Sequence, residues 1–281
     1  MSPEEFRILR DLVQTHCGIY FQNDQQYLFT RRLDSRLKEL GLQDYTEYHR
    51  HLRYAEDRRL EMERLVELLT TNETYFFREE YQLKAFSEEI LPDLILRRAS
   101  HRRLRIWSAG CSTGEEVYTL AMLLLENPQL EGWSLEVFGN DISRKVLQTA
   151  RKGVYGKSAM RVIEPYFLRK YFRKEGDRYR VVDEVRDIVS FGQLNLLDTD
   201  MLELLGPVSV VFCRNVLIYF DRDARLRVLE TFRKKMVEGG YLLLGHSESL
   251  VNLSTDFELV TLKNDMVYRK PRLRDFGETS Q

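Results

Sequence analysis

Leu104-Arg105-Ile106-Trp107-Ser108-Ala109-Gly110-Cys111-Ser112-Thr113-Gly114-Glu115-Glu116 decides how the rest of the chain is read. Leu104 to Ala109 has the length and apolar content of a short strand. Gly110 to Gly114 is a tight loop, and Glu115 opens a helical pattern that reaches Asn127. A strand that turns at glycines into a helix starts a βαβ unit. The same rhythm continues downstream. Leu135 to Gly139 reads as a second strand ending in Asn140-Asp141, and Ser143 to Lys152 as a helix. Val208 to Cys213 is a strand running into Arg214-Asn215, and Asp221 to Val237 is a helix stopped by Gly239-Gly240. Tyr241 to Gly245 is another strand. Phe257 to Thr261 and Met266 to Lys270 form a hairpin joined by Leu262 to Asp265. The expected fold class is α/β, with a mostly parallel sheet closed by an antiparallel hairpin.

Upstream the pattern is helical only. Ser2-Pro3-Glu4-Glu5 combines an N-cap, proline at the first helical position and glutamate three residues after the cap. That helix runs to about His16 and stops at Gly18. Asn23 or Asp24 opens a second, with Tyr27, Leu33, Leu37 and Leu40 on one face and Gly41 as its stop. Asp44 to Leu52 and Asp57 to Leu69 give two more. Residues 1–70 are therefore expected to be an all-helical domain, residues 71–80 a connecting segment and residues 81–270 the α/β domain, which opens with a helix over Glu80 to Arg98. Arg178 to Val182 and Ile188 to Phe191 read as an antiparallel pair after a helix over Tyr166 to Phe172, an inserted β-subdomain at about 164–191. Residues 271–281 read as a polar, disordered tail.

At about 150 residues per domain, 281 residues suit two domains. Apolar residues make up 43%, enough for a sizeable core, and a net charge of −1 gives no global pull toward nucleic acid or an anionic membrane. Cys17, Cys111 and Cys213 are far apart with no CxxC, which suggests neither a disulfide framework nor a zinc site. No signal peptide and no membrane-spanning run is found, so a soluble cytoplasmic protein is expected.

The Gly110–Gly114 loop lets a ligand approach the backbone at a helix N-terminus. Its spacing is not GxGxxG, and a pyrophosphate fits poorly beside Glu115 and Glu116. Two carboxylates suit a cationic ligand instead, such as the sulfonium and amino group of S-adenosylmethionine. They also suit a plain first turn, where the helix dipole favours acids. The loop satisfies GxSxG as well, with Asp221 or Asp223 and then His246 in hydrolase order. However, only helices precede this strand, and no HGGG-type oxyanion segment is present. Asp141, at a strand end, can accept from both ribose hydroxyls or cap the next helix. Asn195 and Asn215 fall at the carboxyl ends of strands, where amides can read a polar ligand edge. Arg31, Arg32, Arg36 and Lys38, set against Asp34 and Glu39, are either a solvated face or a contact for an acidic partner.

Four motifs occur in order: Thr71-Asn72-Glu73-Thr74-Tyr75-Phe76-Phe77-Arg78-Glu79, then Trp107 to Glu116, then Phe212-Cys213-Arg214-Asn215-Val216-Leu217-Ile218-Tyr219-Phe220, then Gly245-His246-Ser247-Glu248. Together they resemble the bacterial chemotaxis receptor methyltransferases, the CheR family, over about residues 1–270. The resemblance implies a class I S-adenosylmethionine methyltransferase fold and transfer of methyl groups to glutamate side chains of chemoreceptors. By motif it implies cofactor contacts at Asn72, Thr74, Arg78, Glu116, Asp141, Asn195, Leu196, Asn215 and Val216, with S-adenosylhomocysteine as product and no metal. Arg78 and Tyr219 would lie near the transferred methyl. Arg32, Arg36 and Lys38 would meet the cytoplasmic helical domain of the receptor, although Asp34, Gln25 and Gln26 depart from a strongly basic pattern. The short connection Lys174-Glu175-Gly176-Asp177 lacks a longer glycine-containing loop, so no tether to a receptor C-terminal peptide is expected. Alternatives are a CheR-like binding module without turnover and a methyltransferase of another protein. The chemistry agrees with the residues, because a glutamate side chain with a pKa of about 4.3 is ionised at neutral pH and needs no general base.

Overall fold

A computed structural model describes residues 1–272; the tail beyond lies outside the described residues. The chain opens with helices α1 (Pro3–Cys17), α2 (Gln26–Leu40), α3 (Tyr45–Tyr54) and α4 (Arg58–Leu69). The Ser2 hydroxyl accepts from the Glu5 N–H and the Glu5 carboxylate accepts from the Ser2 N–H, the reciprocal cap expected from the sequence. Gly18 (φ 75°) and Gly41 (φ 70°) end α1 and α2 in the left-handed conformation. Helix α5 (Glu80–Ala85) passes through one wide π turn, Phe86–Ile90, into α6 (Leu91–Arg98). Pro92 lacks an N–H, and the wide turn accommodates it: the Leu91 N–H reaches back five residues to the Phe86 carbonyl.

The α/β part follows with β1 (Arg103–Ala109), α7 (Glu115–Leu125), β2 (Ser134–Asp141), α8 (Arg144–Lys152), β3 (Val154–Tyr155), α9 (Pro165–Tyr171), β4 (Phe172–Glu175), β5 (Arg178–Val181), α10 (Asp183–Arg186), β6 (Val189–Gln193), α11 (Thr199–Glu203), β7 (Val208–Cys213), α12 (Arg222–Lys235), β8 (Met236–Leu244), β9 (Glu258–Thr261) and β10 (Met266–Arg269). The main sheet has the order β6-β2-β1-β7-β8-β10-β9. Its first five strands are parallel, and β10 runs antiparallel to both β8 and β9. This is the class I methyltransferase topology expected above.

Two expectations are corrected. The strand at Ile188 to Phe191 does not pair with that at Arg178 to Val182. β6 is instead the edge of the main sheet, parallel to β2 in the register Val137↔Val189 to Asp141↔Gln193. β5 pairs with β4 and β3, so the strands of the small sheet lie within 154–181 rather than reaching 191. Alternating apolar residues mark a half-buried strand and say nothing about its partner. In addition, Gly239-Gly240 does not stop a helix. The helix ends at Lys235, and β8 already includes both glycines, beside a register shift against β7 and with Gly239 at φ 69°. Glycine within a strand serves there as a bulge.

Side chains alternate across β7 and β8 into two cores. Val208, Val211, Cys213, Leu242 and Leu244 join Trp107, the α12 residues Val228, Leu229 and Phe232, and the interiors of α1 to α4. Val210, Phe212, Tyr241 and Leu243 join α5 to α7 and the small sheet. The N-terminal helices therefore have no separate core and close one face of the sheet.

Candidate active site

The carboxyl ends of β6, β2, β1 and β7 point to one edge, the usual ligand crevice of an open α/β sheet. A cleft of about 530 Å³ opens there, roofed by Ile19, Tyr20, Phe21 and the connecting segment 70–74. Its size is within the range of small-molecule sites, about 300–1,000 Å³. Asn72, Thr74, Arg78, Glu116, Asp141, Asn195, Leu196, Asn215, Val216 and Tyr219 all line it. Five separate stretches of sequence (72–78, 116, 141, 195–196 and 215–219) are thus brought to one place.

Asp141 ends β2 with its carboxylate held by two backbone donors. Oδ2 accepts from the Ser112 N–H and Oδ1 from the Ser143 N–H, both at 2.9 Å. Burial pushes its carboxyl up from the ordinary range, against the pull of those N–H groups. The N-cap of α8 is Ser143, whose hydroxyl accepts from the Val146 N–H, so Asp141 does not cap that helix and instead holds the Ser143 N–H just before it. Glu116 lies one helical residue past Glu115, and its carboxylate is fixed at both oxygens: Oε1 accepts from Ser108 Oγ at 2.7 Å and Oε2 from Arg214 Nε at 2.6 Å. Glu115 turns away from the cleft. It is 4% exposed, takes a bond from Thr113 Oγ1 at 2.6 Å, and burial raises its pKa.

Arg78 is held between two left-handed residues, Phe77 (φ 59°) and Glu79 (φ 58°). Ser112 (φ 49°) and Asn215 (φ 60°) line the cleft in the same conformation. Such strain persists only where neighbours enforce it, and it concentrates at functional sites. Here the Phe77 N–H donates to Thr119 Oγ1 at 3.2 Å, and Arg214 Nη1 donates to the Arg78 carbonyl at 2.9 Å. Arg78 itself donates to the Glu73 carbonyl at 2.9 Å. Gly110 is required twice: its φ is 78°, and a Cβ would come within 2.5 Å of Val216 Cγ2.

The residues fit S-adenosylmethionine. Two ionisable acids face a ligand with a cationic sulfonium and ammonium, and Arg78 can meet its carboxylate. Asn215 Oδ1 is buried without a hydrogen-bond partner, an acceptor available to a ligand donor. Asn195 is more committed. Its Nδ2 donates to the His16 carbonyl at 2.7 Å and its Oδ1 accepts from the Leu197 N–H at 3.0 Å, so it also ties this loop to α1.

The basic helix α2 divides. Arg32 reaches the cleft edge, but its guanidinium caps α4 at the Leu68, Leu69 and Thr70 carbonyls. Arg36 forms a two-pronged ion pair with Glu61, which is 2% exposed, and also bonds Glu39. Lys38 is exposed and, like Arg36, lies outside the cleft lining. The hydrolase constellation is not assembled: Ser112 Oγ donates to the Asn72 carbonyl, Asp221 caps α12, and His246 is exposed outside the cleft lining. Among the described residues, no group of three or more His, Cys, Asp or Glu is gathered to hold a metal ion. Sequence reasoning assigned no role to Arg214 or Glu248, although both stand in quoted motifs. Arg214 is buried and bridges Glu116, Glu79 and Gln82. Glu248 accepts from four backbone N–H groups.

Residues 72–266 match the family described as CheR methyltransferase, SAM binding domain, and residues 4–70 match CheR methyltransferase, all-alpha domain. Chemotaxis protein methyltransferase 2 of Vibrio cholerae serotype O1 is 36% identical over 282 residues, covering 100% of this chain and 97% of that protein. Chemotaxis protein methyltransferase 1 of Pseudomonas aeruginosa is 35% identical over 271 residues, 94% of this chain and 97% of that protein. The chemotaxis protein methyltransferase of Salmonella typhimurium is 34% identical over 263 residues, 92% and 88% respectively. With both halves matched, and with a cleft at the sheet edge that suits the expected cofactor, the chain belongs to the CheR methyltransferase family.

Proposed function

We propose that this protein acts in the cytoplasm to methylate glutamate side chains of chemoreceptors, forming glutamyl methyl esters and leaving S-adenosylhomocysteine. The observation that carries this reading is the meeting of Arg78 and Tyr219 with Glu116, Asp141 and Asn215 around one cleft. When bound, S-adenosylmethionine supplies an electrophilic methyl group on sulfur. Asp141, Glu116, Asn72, Thr74, Asn195, Leu196, Asn215 and Val216 would hold it, and Arg78 would orient a carboxylate. Tyr219 lines the cleft, is 40% exposed and would meet an incoming side chain. A glutamate nucleophile arrives ionised, so the chain's task is placement and exclusion of water rather than proton removal. That agrees with a cleft whose lining includes no histidine.

The receptor's helical domain would lie along α2. Arg36 and Arg32 are held by internal partners, so exposed Lys38 and its exposed neighbour Arg31 would supply most of the attraction to an acidic helix. In the small sheet, β4 and β5 join through the two-residue turn Gly176-Asp177, which supports work without a peptide tether. Incubation with methyl-labelled S-adenosylmethionine and receptor-rich membranes tests the reading. Label on the receptor band, released as methanol by mild base, is expected. A protein that binds S-adenosylhomocysteine in calorimetry but leaves receptors unlabelled would contradict it.

A further inference from the structure

Glu248 does not line the cleft, yet it organises one of its walls. Its Oε2 accepts from the Asn215 N–H and the Gly245 N–H, each at 2.7 Å. Its Oε1 accepts from the Val216 N–H at 3.0 Å and the Ile218 N–H at 3.1 Å. Two carboxylate oxygens offer about four lone-pair sites, so this carboxylate is fully used by main chain. The bonds join the loop after β7 to the loop after β8. Gly245 makes the approach possible, because a Cβ there would stand 2.8 Å from Glu248 Oε2 and 2.9 Å from the Asn215 nitrogen.

The loop so clamped carries two working groups. At one end Asn215, held at φ 60°, presents its buried, unpartnered Oδ1. At the other end is Tyr219. Left-handed backbone is disfavoured for any residue with a Cβ, though least for Asn and Asp, so an external hold is needed to keep Asn215 there. A neutral amide in place of Glu248 would turn an N–H₂ group toward two of the four donors.

We infer that Glu248 is a positioning residue for methyl transfer, setting Asn215 and Tyr219 through their shared backbone. The inference rests on the methyltransferase reading of the cleft. Calorimetric affinity for S-adenosylhomocysteine tests it on the full chain, together with thermal melting of the ligand-free protein. The variants are Glu248→Gln, Gly245→Ala, Asn215→Gly and the double variant Glu248→Gln/Asn215→Gly. Asn215→Gly removes the amide while keeping φ accessible. Glu248→Gln and Gly245→Ala are each expected to weaken binding about 10- to 100-fold while ligand-free melting stays cooperative. The double variant is expected to bind no more than about twofold more weakly than Glu248→Gln alone, since both changes remove the same contact. Should Glu248→Gln fail to fold, Gly245→Ala carries the test, because it leaves the carboxylate in place and wedges the loops apart. Wild-type affinity in both Glu248→Gln and Gly245→Ala, or losses that multiply in the double variant, would overturn the inference. A wild-type protein that binds no S-adenosylhomocysteine would instead overturn the methyltransferase reading on which it stands.

Discussion

Glu115 and Glu116 are adjacent in sequence and face different surroundings, because successive helical residues are turned by about 100°. Glu116 reaches the cleft and Arg214, whereas Glu115 is buried beside Thr113 and, among the described residues, forms no ion pair. Burial raises the Glu115 pKa, so its stabilising contribution is present below about pH 4.5 and is lost as pH rises through the folded value. Glu115→Gln, which can still accept from Thr113, is therefore expected to melt with the wild type near pH 4 and above it at pH 7. Scanning calorimetry at the two pH values measures the difference, and equal melting at pH 7 would count against an unpaired buried charge. Arg78 makes the complementary case for activity. Its guanidinium lines the cleft, donates to one carbonyl and lies 3.9 Å from the Glu79 carboxylate, so Arg78→Ala should lower kcat/KM about 100-fold by loss of orientation. Unchanged cofactor affinity and turnover would remove Arg78 from the mechanism.

The β1–α7 connection shows how an element constrains its residues. Gly110 turns the chain at φ 78° and packs against Val216 from the β7 side, so two strand-end loops interlock at one glycine. Gly110→Ala is expected to cost about 2 kcal/mol or more, from the left-handed penalty and the overlap together. Adding Val216→Ala should recover part of that loss in urea denaturation, since it relieves the overlap and leaves φ unchanged. No recovery would show that the backbone penalty alone acts. Local devices at this scale were legible in sequence. The Ser2–Glu5 capping box and the Gly18 and Gly41 stops stand where expected because each involves residues within one turn. Hairpin partnership is legible for β9 and β10, but pairing between strands distant in sequence is not, and β6 therefore belongs to the main sheet rather than beside β5.

Across the whole molecule, α1 and the cleft are one construction. Ile19 and Phe220 form a β-bridge, the Tyr20 N–H donates to the Tyr219 carbonyl at 2.8 Å, and Gln14 bonds Asp221. On α4, Glu67 accepts from the Lys145 N–H at 2.9 Å and so caps α8 across the boundary. With a continuous core beneath these contacts, helices and sheet should unfold together. A single calorimetric transition with matching van't Hoff and calorimetric enthalpies is expected, moved upward by S-adenosylhomocysteine. Two resolved transitions would refute the shared core. No helix among the described residues is long and apolar enough to cross a membrane.

By itself the sequence determined the helices and their caps, the βαβ succession, the closing hairpin and the family motifs, all carried by short-range spacing and residue type. Tertiary structure alone decided which strands distant in sequence pair, that residues 1–70 share a core with the sheet, and that Arg32 and Arg36 are held by internal partners. It also assigned work to Arg214 and Glu248, whose partners on the connecting segment, on α5 and α7 and in the loop after β7 come from distant stretches of chain. A side chain's chemistry is written in its type, but its partners are set by where the rest of the chain comes to lie.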